Sequence, residues 1–478
     1  MGNSVRKGLL WKFLERCATQ GIQFVLSIVL ARLLSPEDYG ALALMVIFTS
    51  LANVFVQTGF NSSLLQTKDV DDNDFSSVFW VSLGIAGILY LAIFLSAPLI
   101  AQFYNMPEII APLRVLALML FPGAFNSVQL AKVRREMDFK KVFYSSIGAI
   151  IASGAAGIIL AYMGAGLWAL VAQNLVNVIA SCVVMCFTVK WFPKPVIKWK
   201  RVAKLFSFGW KLLVSTLLNT VYQDLRSLVI GKKYAENTLG YYNRGKQFPQ
   251  QIINAIDGTV QAVMLPAMAK QQDDKNRVKE MMRTSITLSS YIIFPMMAGL
   301  AGVAAPLVNI LLTDKWAGCV PYMQIYCFTM AFMPVHSCNL QTINAIGRSD
   351  IFLKLEIIKK AYGIGALAIA VFCFDSPIAI AMTGIVTTVI SCFVNASPNK
   401  KLVGYSYKEQ MQDILPSFIL SFVMFGIVSA IGLLGLDDIV TLIIQVLAGV
   451  VFYVGGSILL KLEPFAYVLQ MLRKMRHR

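Results

Sequence analysis

Charge is scarce in this sequence, and what there is leans one way. Only 14% of the residues are Asp, Glu, Lys or Arg, while 57% are hydrophobic and the mean hydropathy is +0.67. An ordinary soluble domain is about one-quarter charged, so a soluble enzyme is excluded at the outset. Histidine is almost missing: His336 and His477 are the only two, too few for a histidine-based zinc site or a Ser-His-Asp triad, and no metal site is expected. The eight cysteines, Cys17, Cys182, Cys186, Cys319, Cys327, Cys338, Cys373 and Cys392, include no Cys-x-x-Cys pair. Nearly all lie in apolar runs and read as small buried hydrophobes. A cleavable leader is also not expected. The first apolar run, 9–34, is too long for a signal core and has no small-residue cleavage site, so it reads as an uncleaved first membrane helix.

Long apolar runs are what the chain has in abundance. A membrane helix needs about 20 mostly apolar residues, and fourteen stretches qualify: 11–34, 39–64, 78–102, 110–131, 143–163, 167–189, 206–230, 238–264, 286–312, 320–345, 351–374, 377–397, 413–434 and 439–460. The expected fold is an all-α polytopic membrane protein. An even number of spans puts both termini on one side. The chain holds 42 Lys+Arg against 25 Asp+Glu, a net charge of +17, and thirty of those cations fall at the termini and in the even-to-odd loops. Four fall on the other side: Arg32, Lys232, Lys233 and Lys315. Basic residues mark the cytoplasmic face, so both ends are expected there. The acidic loop 67–74 (TKDVDDND) dissents, but acids count little toward orientation.

The longest cytoplasmic linker, 190–204 (KWFPKPVIKWKRVAK), follows the sixth span. Its alternation of Trp and Val with Lys reads as a segment lying on anionic headgroups. It divides the chain into a six-helix bundle at 1–190, the linker at 191–204, a second six-helix bundle at 205–398, and helices 13 and 14 with a basic tail at 399–478. At an offset of 200, Gln23 meets Gln223, Ser27 meets Ser227, Gly40 meets Gly240 and Asn61 meets Gln261. Asn-Ser-Val-Gln-Leu (126–130) and His-Ser-Cys-Asn-Leu (336–340) occupy the fourth helix of each half. Halves of equal orientation suggest parallel repeats, with substrate bound between them.

Polar residues form stripes on four spans. The eighth carries Asn243, Gln247, Gln250, Asn254, Asp257 and Gln261 on one helical face. The seventh carries Ser215, Asn219, Gln223 and Arg226, the first Glu15, Thr19, Gln23 and Ser27, and the second Asn53, Gln57 and Asn61. Amides facing hydrocarbon go unsatisfied, so these faces meet protein or water. Interhelical hydrogen bonding accounts for any one stripe; four at matching positions favour a shared hydrated cavity. Eight cations also lie within the spans: Arg16, Arg114, Lys211, Arg226, Arg244, Lys246, Lys359 and Lys360. Only four acids do, Glu15, Asp224, Asp257 and Glu356, and Glu356 and Lys360 are spaced for an i, i+4 pair. Each intramembrane charge costs at least about 2.5–3.5 kcal/mol. A surplus of cations therefore implies an anionic guest such as a phosphate or pyrophosphate.

Three segments resemble one family. Leu30-Ala-Arg-Leu-Leu-Ser-Pro-Glu-Asp-Tyr-Gly40, Leu239-Gly-Tyr-Tyr-Asn-Arg-Gly245 and Arg134-Arg-Glu-Met-Asp-Phe-Lys-Lys141 look like signatures of Wzx-type polysaccharide transporters. These belong to the multidrug/oligosaccharidyl-lipid/polysaccharide exporter superfamily, and the resemblance runs from about residue 5 to 460. It implies two six-helix bundles in a V shape plus two C-terminal helices. It also implies a flippase that moves an undecaprenyl-pyrophosphate-linked oligosaccharide across the bacterial cytoplasmic membrane by alternating access, serving lipopolysaccharide, capsule or exopolysaccharide synthesis. The expected pyrophosphate contacts are Arg16, Arg226, Arg244, Lys246, Lys359 and Lys360, of which Arg244 alone lies in a family signature. Gln23, Asn53, Gln57, Asn219, Gln223, Asn243, Gln247, Gln250 and Asn254 are expected to face the glycan. Glu15, Asp224 and Asp257 are candidates for H⁺ or Na⁺ coupling; no other cofactor is expected. The expected partners are the lipid-linked glycan, the membrane and a polysaccharide polymerase or export machinery, and no nucleic acid is expected. The rival is a cation-coupled multidrug exporter of the same superfamily, which the cation surplus disfavours. A membrane enzyme such as a glycan ligase would need a sizeable outer loop, and every outer loop here is short.

Overall fold

The computed structural model describes residues 2–476 apart from Lys68 and Met137. The side chains of Arg6, Lys7, Lys12, Cys17 and Asn61, and those after Gln470, lie outside the described residues, as does His477. All described elements are helical, and no strand occurs among the described residues. The chain divides into two compact units, Met1–Gly240 and Tyr241–Arg478.

The first unit holds α1 (Gly2–Leu33), α2 (Pro36–Gln66), α3 (Asp72–Tyr104), α4 (Ile110–Leu116), α5 (Leu120–Glu136), α6 (Phe139–Tyr162), α7 (Leu167–Val189), α8 (Trp199–Lys233) and the first turn of α9 (Glu236–Ala269). The division therefore falls later than the linker at 191–204, because α8 packs along α2. The Ser-Pro-Glu-Asp run explains where α2 begins. Ser35 and Asp38 form a reciprocal capping box and Pro36 sits in the first turn, where its missing N–H is no loss. Asp71 and Asp74 cap α3 in the same way. Helix α6 lies against α1 and α7 through small residues: a Cβ on Gly154 would come within 2.6 Å of Leu26, and one on Gly157 within 3.1 Å of Gln173. Close backbone approach of this kind replaces the hydrophobic drive that lipid does not supply.

The second unit holds α10 (Lys275–Gly302), α11 (Ala304–Leu312), α12 (Val320–Ala331), α13 (Met333–Ala345), α14 (Ser349–Cys373), α15 (Pro377–Ala396), α16 (Asn399–Leu402), α17 (Tyr407–Ile431), α18 (Asp438–Leu459) and α19 (Glu463–Arg476), with the rest of α9. Its core joins Tyr291, Met424, Val428 and Tyr453 from α10, α17 and α18. Helical segments underlie all fourteen expected spans, with three departures. The span expected at 110–131 passes through a 3₁₀ turn at Ala117–Met119, that at 286–312 breaks at Val303, and that at 320–345 is interrupted at Phe332. Among the described residues, nine stretches are long and apolar enough to cross a membrane unaided; α1, α8, α9 and α14 are not among them. Ile88, Leu91, Leu95 and Leu99 form an exposed apolar face on α3. In water such a face would drive association; here it suits lipid, and the chain is a multi-pass membrane protein.

The linker, expected to lie on anionic headgroups, also has partners within the protein. It is strapped across the start of α3, which also resolves the dissenting acidic loop. Arg201 donates to both carboxylate oxygens of Asp74, at 3.2 and 3.0 Å, and Asp74 is 2% exposed. Lys198 pairs with Asp71 at 2.9 Å, the Lys194 and Lys198 amides donate to Ser76 and Ser77, and the Trp80 indole donates to the Lys194 carbonyl. Trp191 is buried against Phe75 and Phe125. Opposite charges on the two loops satisfy each other. Arg201→Met leaves the Asp74 carboxylate buried without its partner, a loss of about 1–3 kcal/mol after allowing for the half-exposed Arg. The expected result is trypsin cleavage within 190–200 about ten-fold faster or more, with wild-type rates elsewhere. Lys198 holds the Asp71 carboxyl down to about 2. Its share of the strap is thus intact above the ordinary carboxylate range and is lost as pH falls through about 4 toward 2.

Candidate functional site

The polar stripes divide once packing is known. On α1 and α8, Gln23, Asn219 and Gln223 are exposed, as a cavity or water-facing surface requires. Arg16 on α1 is also exposed, and Glu15 beside it accepts a hydrogen bond from Ser146 at 3.2 Å. Asp224 and Arg226 are half-buried on α8. On α2, Gln57 donates to Asn53 at 2.9 Å, and this pair lies over Gly123 of α5, whose absent side chain makes the room.

In the second unit, Gln250 donates to Asn254 at 2.8 Å, and Asn254 is exposed; Asn243 and Gln247 are half-buried. The last two members of the α9 stripe behave otherwise. Asp257 is 5% exposed. Its Oδ2 accepts from Ser337 at 2.9 Å and from Gln261, and Gln341 donates to Gln261 at 2.9 Å. The stripe thus ends in a hydrogen-bonded network with α13. Asp257 Oδ1 and Gln341 Oε1 are buried with no hydrogen-bond partner among the described residues. Ser337 and Gln341 were not expected as site residues. The signal for Ser337 was present in the His-Ser-Cys-Asn-Leu segment, read only as a repeat marker, and Gln341 follows that segment directly.

The cations also divide. Arg244 is 3% exposed, with its guanidinium 5.6 Å from the ring centres of both Phe248 and Trp316, and it donates to Gln247 at 2.7 Å. Lys246 is half-buried, 6.0 Å from the Tyr326 ring centre. Arg114 donates to the Phe94 carbonyl and lies over that ring at 4.1 Å. Lys359 pairs with Glu356 one turn earlier on α14. The ion pair expected between Glu356 and Lys360 is therefore made by the i+3 residue instead, both positions sharing one face of the helix. Lys360 is half-buried. A cavity of about 820 Å³ opens between the end of α9 and the start of α10, with Lys270 and Arg277 among its lining. Among the described residues no group of three or more His, Cys, Asp or Glu is arranged to hold a metal.

The arrangement suits recognition of a hydroxyl-rich, anionic solute: exposed amides, and dispersed cations that outnumber acids within the spans. The chain is similar to the succinoglycan biosynthesis transport protein ExoT of Rhizobium meliloti, 25% identical over 86% of this chain and 81% of that one. It is also similar to the lipopolysaccharide biosynthesis protein WzxC of Escherichia coli, 22% identical over 89% and 87%. Among solved structures, the lipid II flippase MurJ in an inward closed conformation matches with TM-score 0.72, covering 95% of this chain and 98% of that one at 15% identity. An inward-facing multidrug resistance MATE transporter of the MOP superfamily matches with TM-score 0.62, covering 81% and 98% at 17% identity. These establish the fold. Residues 29–321 match the family described as polysaccharide biosynthesis protein, and the chain belongs to that family.

Proposed function

We propose that this protein is a flippase that carries an undecaprenyl-pyrophosphate-linked oligosaccharide across the bacterial cytoplasmic membrane, with both termini in the cytoplasm. The observation that carries this reading is the pairing of exposed amide faces with more cations than acids inside the spans. The names of the polysaccharide-transport relatives support it along most of the chain. In this scheme Arg16, Lys246 and Lys360 meet the pyrophosphate, Gln23, Asn219, Gln223 and Asn254 meet sugar hydroxyls, and the lipid tail stays in the bilayer. Asp257 is the coupling residue for H⁺ or Na⁺. A polysaccharide polymerase or export machinery takes the product on the far side.

Deletion of the gene is expected to abolish surface glycan and to accumulate the lipid-linked unit, with drug susceptibility unchanged. The double substitution Lys246→Ala/Lys360→Ala, expressed at wild-type level, is expected to restore at most about one-tenth of the glycan, since two charge-assisted phosphate contacts are worth about 1.5–3 kcal/mol each. Full complementation by the double variant removes these cations from the site. Drug hypersensitivity of the deletion strain with normal glycan favours the multidrug exporter.

A further inference from the structure

The linker that straps α3 has two sides, and the protein uses one of them. Lys190 ends α7 in the left-handed conformation (φ 54°). The chain then runs without regular structure past Pro193 and Pro195 to the start of α8 at Trp199. Trp191, Val202 and Leu205 join the core of the first unit beside Phe60, Phe75 and Phe79. Other apolar side chains of the same stretch stay outside. Phe192 is 65% exposed and Trp199 68%, with Val196 and Ile197 exposed between them. The outward row continues along α8, where Ala203, Phe206 and Trp210 are exposed. They follow Trp199 by four, seven and eleven residues, which is one helical face.

The cations divide in the same way. Lys198 and Arg201 are taken up by Asp71 and Asp74. Lys190, Lys194, Lys200 and Lys204 are exposed. No acid occurs in the sequence between Asp138 and Asp224, so this stretch of chain carries nothing to offset them. A row of Phe and Trp open to water would drive association. Rings interleaved with lysines suit the headgroup layer, where the ring settles at the apolar boundary and the ammonium reaches the phosphates. The bilayer is close at hand: Phe187, three residues before Lys190 on the spanning helix α7, is 74% exposed.

We propose that residues 190–210 form a docking surface for anionic phospholipid. Phe192, Trp199, Phe206 and Trp210 enter the headgroup boundary, and Lys190, Lys194, Lys200 and Lys204 meet lipid phosphates. The expectation from sequence, that the whole linker lies on headgroups, is thereby narrowed. The side bearing Trp191, Lys198 and Arg201 meets protein, and only the opposite side meets lipid. The surface rests on the flippase reading only for which leaflet supplies that lipid.

Photo-crosslinking of the full chain in nanodiscs of mixed phosphatidylglycerol and phosphatidylcholine tests it. No glycan is present and both leaflets carry the same lipids, so its failure is distinct from failure of the flippase reading or of the orientation. A benzophenone amino acid replaces Phe192, Trp199 or Phe187 in turn, and adducts at Phe187 report the bulk lipid. Adducts at Phe192 and Trp199 are expected to favour phosphatidylglycerol about three-fold or more over those at Phe187. High salt should bring that preference toward parity in the otherwise wild-type chain. Replacing Lys190, Lys194, Lys200 and Lys204 together by Gln should do the same, with adducts to both lipids persisting. The surface is overturned by the absence of lipid adducts at Phe192 and Trp199, by parity with Phe187, or by a preference that survives both high salt and the four Gln. Protein adducts in native membranes in place of lipid adducts also overturn it and assign the face to a protein partner.

Discussion

Arg244→Ala is expected to cost about 2–4 kcal/mol of stability and to yield little folded protein, rather than a folded transporter with a weakened anion site. The guanidinium is inside the second unit, set between Phe248 and the wholly buried Trp316. Truncation removes aromatic contacts worth about 0.5–2 kcal/mol. It also removes a charge-assisted bond to Gln247 worth about 1.5–3 kcal/mol and leaves a void where the stem was. Neighbouring groups cannot collapse into that void easily. Gly245 already sits so close to α12 that a Cβ would fall 2.7 Å from Tyr322, and Tyr242 is buried with its hydroxyl on that of Tyr326. Arg244→Lys keeps the charge but loses the planar fork and the stacking, so an intermediate loss is expected. Thermal unfolding of the detergent-solubilised protein by tryptophan fluorescence measures it. A wild-type transition in Arg244→Ala returns this residue to the set of substrate contacts. The family signature around Leu239–Gly245 then has a physical basis: it builds a packed helix start, and Arg244 belongs to the packing.

Much of the fold was legible because membrane crossing needs long apolar runs, and the runs at 39–64 or 439–460 are unbroken enough to read directly. The helix starts were legible too, since Ser35, Pro36 and Asp38 each have a local capping role. The rest depended on partners distant in sequence. Helical period placed the six α9 polar residues on one face, but period says nothing about what that face meets. Asp257 met Ser337, eighty residues on. The acidic loop looked anomalous because orientation rules count charges by side and ignore which charge pairs with which. Asp74 and Arg201 are 127 residues apart in sequence. The choice between Lys359 and Lys360 as partner of Glu356 turns on rotamers, which spacing does not fix.

Asp257→Asn is expected to separate an ion site from a packing role, because it removes the charge and keeps the shape. In the wild-type chain the buried Asp257 carboxylate on α9 is met by two neutral donors, Ser337 and Gln261, on one oxygen. Two neutral hydrogen bonds do not neutralise a buried charge, whose burial costs several kcal/mol. A proton or Na⁺ at Oδ1 would, with Gln341 Oε1 as the second buried oxygen lacking a hydrogen-bond partner among the described residues. The asparagine is therefore expected to fold with wild-type stability or better, while glycan export in the complemented deletion strain falls about ten-fold or more. Asp257→Ala should lose export as well, and in addition about 1–3 kcal/mol of stability, because Ser337 and Gln261 are left without their acceptor. A stabilising shift of the unfolding temperature by Na⁺ over K⁺, or by acid over neutral pH, identifies the ion in the wild-type protein and should vanish in both variants. If the asparagine protein exports at the wild-type rate and keeps its response to Na⁺ and pH, Asp257 is a hydrogen-bond bridge from α9 to α13 and the coupling ion binds elsewhere.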